Sequence, residues 1–161
     1  MNANLQKAID TFRINDVYLR NSVAQCVNDF EPKYFPDLDK LETQTKHVVS
    51  EAQSAKINEA QWLVRIFIEL GVRLVDPGIE PEDMSVRAVI EAEFVAEYTV
   101  DEELEQSYID EYALKNASYH VWPYWREFLM SQCGRMHLPR LVLPTVQFAQ
   151  NRHDTNQVKS E

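Results

Sequence analysis

The sequence predicts an α+β fold in which a four-stranded antiparallel sheet is followed by helices packed on one of its faces. Two observations predict it. Up to about residue 100, apolar residues recur at every second position in four stretches, separated by polar, proline or glycine breaks. Past Asp101 the repeat lengthens to that of a helix. Strands followed by helices segregate into a sheet layer and a helix layer.

Residues 1–10 read as a short helical or frayed lead-in. Over residues 11–27, Phe12 and Ile14 alternate, then Val17 and Leu19, with the phase slipping by one near Asp16. An inserted residue moves every later side chain to the other face, so a bulged strand is expected. Residues 28–36 (NDFEPKYFP) form a connection, and alternation over 37–49 gives a second strand. SEAQSAKINEA is polar and reads as a turn or loose loop. Residues 62–70 are the clearest strand, with Trp62, Val64, Ile66, Ile68 and Leu70 on one face, and could run on to Val75. DPGIEPED breaks the chain, and a fourth strand over 86–95 extends to Tyr98 or Val100.

Asp101 is expected to cap the following helix, with Glu102 and Glu103 near its positive end. Pro123 lacks an amide proton and is expected to break or kink the run between 116 and 122. A second length, 123–133, places Trp125, Phe128, Leu129 and Gln132 near one stripe and stops at Gly134.

The chain has 161 residues, enough for one domain over 1–149, with a polar tail at 150–161 expected to be disordered. Hydrophobic residues at 45% and aromatics at 11% point to a globular fold. Lys and Arg number 16 against 26 Asp and Glu, a net charge of −10. That surface repels phosphate, which argues against nonspecific nucleic-acid binding and against an anionic membrane face. Cys26 and Cys133 fit no disulfide or zinc pattern. His47, His120, His137 and His153 lack ligand spacing, so no metal is expected and the histidines read as solvated or hydrogen-bonded. The three glycines are isolated, so no phosphate-cradling loop can be drawn and no cofactor is expected. With no signal-like or membrane-length apolar run, the chain reads as cytoplasmic.

The most informative stretch is WPYWREFLMSQCGRMHLPRLVLPTVQF, residues 122–148. Loops are normally polar because they run through water. One that carries Leu138, Leu141, Val142, Leu143, Val146 and Phe148 between Pro139 and Pro144 must cover something or bind something. Arg126 and Glu127 are adjacent and do not face each other on a helix, so each is expected to pair with another element or subunit and not to do catalysis. Glu91 and Glu93 share one strand face and could serve acid–base chemistry in a small α+β enzyme, although solvated sheet acids are far commoner.

The chain resembles the SecB-like chaperones, which carry PYxRE, a serine, a glycine- or arginine-containing helix end and an FPxLxLxPVNF-like loop. Pro123, Tyr124, Arg126, Glu127, Ser131, Arg135, Pro139, Leu141, Leu143, Val146 and Phe148 stand here in that order. TFRINDVYLR is similar to the family's opening strand, and Glu91, Tyr98 and Val100 match its fourth. The resemblance implies an ATP-independent chaperone, not an enzyme, that holds unfolded or partly folded polypeptide. It also implies a homotetramer built as a dimer of dimers. The implied client-binding residues are Phe30, Tyr34 and Phe35 on one loop and Leu141, Leu143, Val146 and Phe148 on another.

Two departures bear on the partner. The first-strand positions that are acidic in members docking on the export motor SecA are here Asn21 and Gln25, leaving Glu91 as the possible docking acid. The family's final helix lacks its apolar content in AQNRHDTNQVKSE. Both disfavour SecA and lean toward the members dedicated to an antitoxin of a toxin–antitoxin pair; a general export chaperone is the alternative. Burying four client side chains of Leu or Phe size contributes roughly 6–12 kcal/mol gross. Ordering the client costs about 2–5 kcal/mol. Single-site binding is therefore weak, and several sites on one oligomer raise it through effective concentration.

Overall fold

The computed structural model describes residues 11–141 and residue 143. Their strands are β1 (Arg13–Cys26), β2 (Glu42–Asn58), β3 (Gln61–Asp76) and β4 (Ser85–Val100), in one antiparallel sheet of order β1-β4-β3-β2. The helices are α1 (Gln106–Tyr112), a π turn (Ala113–Ala117) and α2 (Ser118–Arg135). The expected α+β architecture is the observed one.

Alternation builds the sheet. Val64, Ile66, Ile68, Leu70 and Val72 of β3 point to one face together with Ala88, Ile90, Ala92, Phe94, Ala96 and Tyr98 of β4, and all are buried. The helix layer covers that face with Val121, Trp125, Leu129 and Cys133 of α2, spaced four apart and buried. Three alanines on β4 leave room for the bulky helix stripe. Each large side chain so buried contributes about 1.5–3 kcal/mol.

The slip near Asp16 is a register shift between Ile14 and Asp16, and a second follows between Leu19 and Asn21. β2 corrects the expectation of a loose loop over SEAQSAKINEA, since residues 50–58 continue the strand and pair with β3 up to the turn at Glu59 and Ala60. The polarity that suggested a loop belongs to an edge strand largely exposed to water.

The outer face of the sheet is polar but clasped. Arg65 of β3 bonds Tyr18 of β1 and pairs with Glu97 of β4 at 3.2 Å. Arg20 of β1 pairs with Glu93 at 2.9 Å. Both guanidiniums lie over the ring of Phe67, at 5.3 Å for Arg20 and 5.1 Å for Arg65, and Phe67 is buried beneath them.

Three expectations about the helices are corrected. Asp101 does not cap a helix: Arg13 holds both its carboxylate oxygens, at 2.6 and 2.9 Å, and α1 starts later at Gln106. That pairing keeps the Asp101 carboxyl below its ordinary range. Pro123 does not break the run but sits inside α2, where the buried side chains of Val121 and Trp125 pin the helix on either side of it. Nor does α2 stop at Gly134. His137 adopts a left-handed φ of 55°. Met136 N–H makes the last ordinary helical bond to Gln132 O at 2.9 Å, and Leu138 N–H then reaches back to Cys133 O at 3.0 Å, the 6→1 bond of a Schellman closure. Among the described residues no helix is long and apolar enough to cross a membrane.

Candidate functional site

Two segments carry the apolar residues singled out in the sequence, and both pack against the core. The first, between β1 and β2, leaves the sheet through Asn28, whose φ of 55° turns the chain sharply. Phe30 is turned inward, 4% exposed, with its ring edge-on to Phe35 at 5.1 Å. Pro32 opens a short 3₁₀ turn ending at Tyr34, which is 73% exposed with Lys33 over its ring at 5.4 Å. Phe35 is half-buried, with the Arg87 guanidinium 5.9 Å above it, and that guanidinium is also held by Asp76 at 3.2 Å. Leu38 and Leu41 are half-buried against the core.

The second segment follows α2. The left-handed step at His137 sends Leu138 into the core, and Leu141 and Leu143 lie half-buried beside it. Arg126, Leu129 and Met130 of α2 face Arg140, Leu141 and Leu143 across a small groove. Met130, at 48% exposure, and Tyr124, at 49%, extend the apolar surface along the outside of α2.

Of the residues singled out in the sequence, Phe30 is core, Tyr34 is open surface, and Phe35, Leu141 and Leu143 are partly accessible. Val146, Phe148 and the tail at 150–161 lie outside the described residues. Arg126, Met130 and Arg140 were not read as groove residues. The available signal was an arginine set between leucines in an otherwise apolar loop.

The acids are elsewhere. Glu91 is exposed on the outer sheet face opposite Gly71, where an added Cβ would stand 3.1 Å from the Glu91 side chain. Glu93 on the same face is occupied by Arg20, and Glu69 by Lys46 at 3.3 Å. Among the described residues no three His, Cys, Asp or Glu side chains cluster as a metal site would. Two histidines are hydrogen-bonded: His47 Nε2 to Ser118 Oγ and His120 Nδ1 to Tyr98 Oη, each at 2.7 Å. Burial pushes the His120 imidazole below its ordinary pKa and raises both cysteine thiols.

No family model and no curated protein matches the chain in sequence. Its structure is similar to that of the Mycobacterium tuberculosis SecB-like chaperone Rv1957, solved in complex with a ChAD peptide from the HigA1 antitoxin. The TM-score is 0.60 and the identity 20%, over 91% of this chain and 98% of that one. A Streptococcus agalactiae protein of unknown function also matches, with a TM-score of 0.43 and 13% identity over 83% of this chain and 96% of that one. The four-stranded order, the helix layer on one face and the match across nearly the whole chain give this protein the fold of a SecB-like chaperone.

Proposed function

We propose that this protein is an ATP-independent holding chaperone that keeps a non-native polypeptide soluble, and that its client is an antitoxin. The observation that carries this is the likeness, over 91% of the chain, to a SecB-like chaperone bound to an antitoxin peptide. Supporting it, Tyr34, Phe35, Leu141 and Leu143 offer partly accessible apolar surface on proline-bounded loops, which resist pairing as strands themselves. In this reading Val146 and Phe148 extend that surface, and Phe30 braces it from beneath. The assembly is a cytoplasmic homotetramer, whose repeated weak sites raise affinity for one extended client. Delivery to SecA is the lesser reading: Asn21 and Gln25, exposed on the outer face, are neutral, which leaves Glu91 without the acidic neighbours expected from β1.

The test is light scattering from a chemically unfolded client diluted into buffer containing the purified protein without nucleotide. Scattering should fall to baseline near stoichiometric protein and be unchanged by ATP. Scattering equal to that of client alone would remove the holding function. An antitoxin that stays soluble only when coexpressed with this chain supports the dedicated role, whereas measurable binding to SecA points to export.

A further inference from the structure

The described arginines divide sharply. Arg13 pairs with Asp101, Arg20 with Glu93, Arg65 with Glu97 and Arg87 with Asp76, while Arg73 bonds Gln44 and Arg135 bonds Ser131. Only Arg126 and Arg140 have no hydrogen bond or ion pair to another described residue. Those two line the same groove, with Leu129, Met130, Leu141 and Leu143 between them and no carboxylate among the described lining residues. In a chain of net charge −10 whose other described guanidiniums are filled internally, this is a local reversal of sign on an apolar floor. Glu127, the nearest acid in sequence, belongs to the adjoining surface with Pro123, Arg126, Met130 and Ser131 and makes no bond to Arg126.

We propose that this groove takes a client segment in which an Asp or Glu side chain sits among leucine-sized residues, the two guanidiniums holding the carboxylate while the apolar neighbours cover Met130, Leu141 and Leu143. The inference rests on the holding function and names the chemistry of its client. Guanidinium–carboxylate bonds are charge-assisted and directional, so they select a carboxylate over an amide of the same shape. The apolar floor lowers the local dielectric and strengthens that selection.

The experiment measures binding of three fluorescent leucine-rich 12-residue peptides with blocked ends, carrying a central Glu, Gln or Lys. The Glu peptide should bind roughly tenfold more tightly than the Gln peptide. That ratio should fall to under about twofold in Arg126→Gln/Arg140→Gln, and added salt should weaken Glu binding selectively. Equal binding of all three peptides overturns the acidic preference while leaving the holding function standing; binding of none, together with failure to suppress aggregation, removes both. A fourth peptide, with Gln at the centre and a free C-terminus, assigns the groove to a terminal carboxylate if it alone matches the Glu peptide, which overturns the side-chain assignment. A changed oligomer mass in the double variant assigns the arginines to contact between copies. A gain in Glu-peptide affinity on removing residues 150–161 assigns them to the chain's own tail. Either of these last results also overturns the proposal.

Discussion

Tyr98 and His120 share a 2.7 Å hydrogen bond that ties β4 to α2 inside an aromatic cluster. Tyr98 is wholly buried, and Phe12 stacks on Tyr112 at 4.0 Å while meeting Tyr98 edge-on at 5.5 Å. Burial holds both phenols protonated, with Tyr112 pushed up to about 12. A protonated phenol can donate to Nδ1 only if that nitrogen carries no proton, and burial lowers the His120 pKa in the same direction.

The pH dependence follows from that direction. The unfolded chain takes up the imidazole proton near pH 6.5, whereas the folded chain resists it to lower pH. The contribution of His120 is therefore fully present above about pH 6.5 and is lost as pH falls through its folded value. His120→Gln should flatten the melting-temperature profile between pH 7 and pH 5 relative to the parent chain. Parallel profiles in a thermal scan would show that another group titrates.

Backbone geometry supplies a pair of opposite predictions. Gly78 turns the β3–β4 connection with φ of +68°, and a Cβ there would stand 2.5 Å from that of Asp83. Gly78→Ala should destabilise the fold by at least about 1–2 kcal/mol. His137 holds a comparable φ with a side chain attached. His137→Gly should therefore stabilise the protein by up to about 1 kcal/mol, provided the ring makes no compensating contact. Urea unfolding of both variants reads the signs directly.

How much was legible in the sequence follows from which faces are buried. The β3 and β4 faces could be read because their alternate residues enter one core, and the bulge at Asp16 because a phase slip is itself a sequence signal. The second half of β2 could not, since an edge strand with little buried surface has no apolar pattern to display. The start of α1 was displaced because Arg13, 88 residues away, claims Asp101, a long-range contact that local capping rules cannot see. The stop of α2 was displaced because Gly134 is only an exposed helical glycine, while the left-handed position fell to a histidine. At the site, apolar loops announced themselves by composition, but Phe30 and Tyr34 differ only in direction, which composition does not encode.

The outer clasp predicts a local effect. Arg65 reaches across β4 to bond Tyr18 on edge strand β1, and covers Phe67 in passing. Arg65→Ala should uncover that ring and loosen β1. Hydrogen exchange of the β1 amides should accelerate, with smaller changes in β2. Uniform acceleration across all four strands would mean that the residue stabilises the whole fold and not the edge.

The last prediction separates surface that holds the fold from surface proposed to hold the client. Trp125 is 1% exposed and stacks near Phe128, so Trp125→Ala should cost about 3–5 kcal/mol and lose structure and activity together. Tyr34 is open to water, and Leu143 only half-buried, so charge placed there meets solvent on at least one side. Tyr34→Asp with Leu143→Asp should abolish suppression of client aggregation while the far-ultraviolet spectrum is retained and melting shifts by only a few degrees. If aggregation is still suppressed at the parent stoichiometry, the loops are packing elements and the client lies elsewhere. If the double variant melts as early as Trp125→Ala, Tyr34→Asp alone decides, because so exposed a ring contributes little to the core.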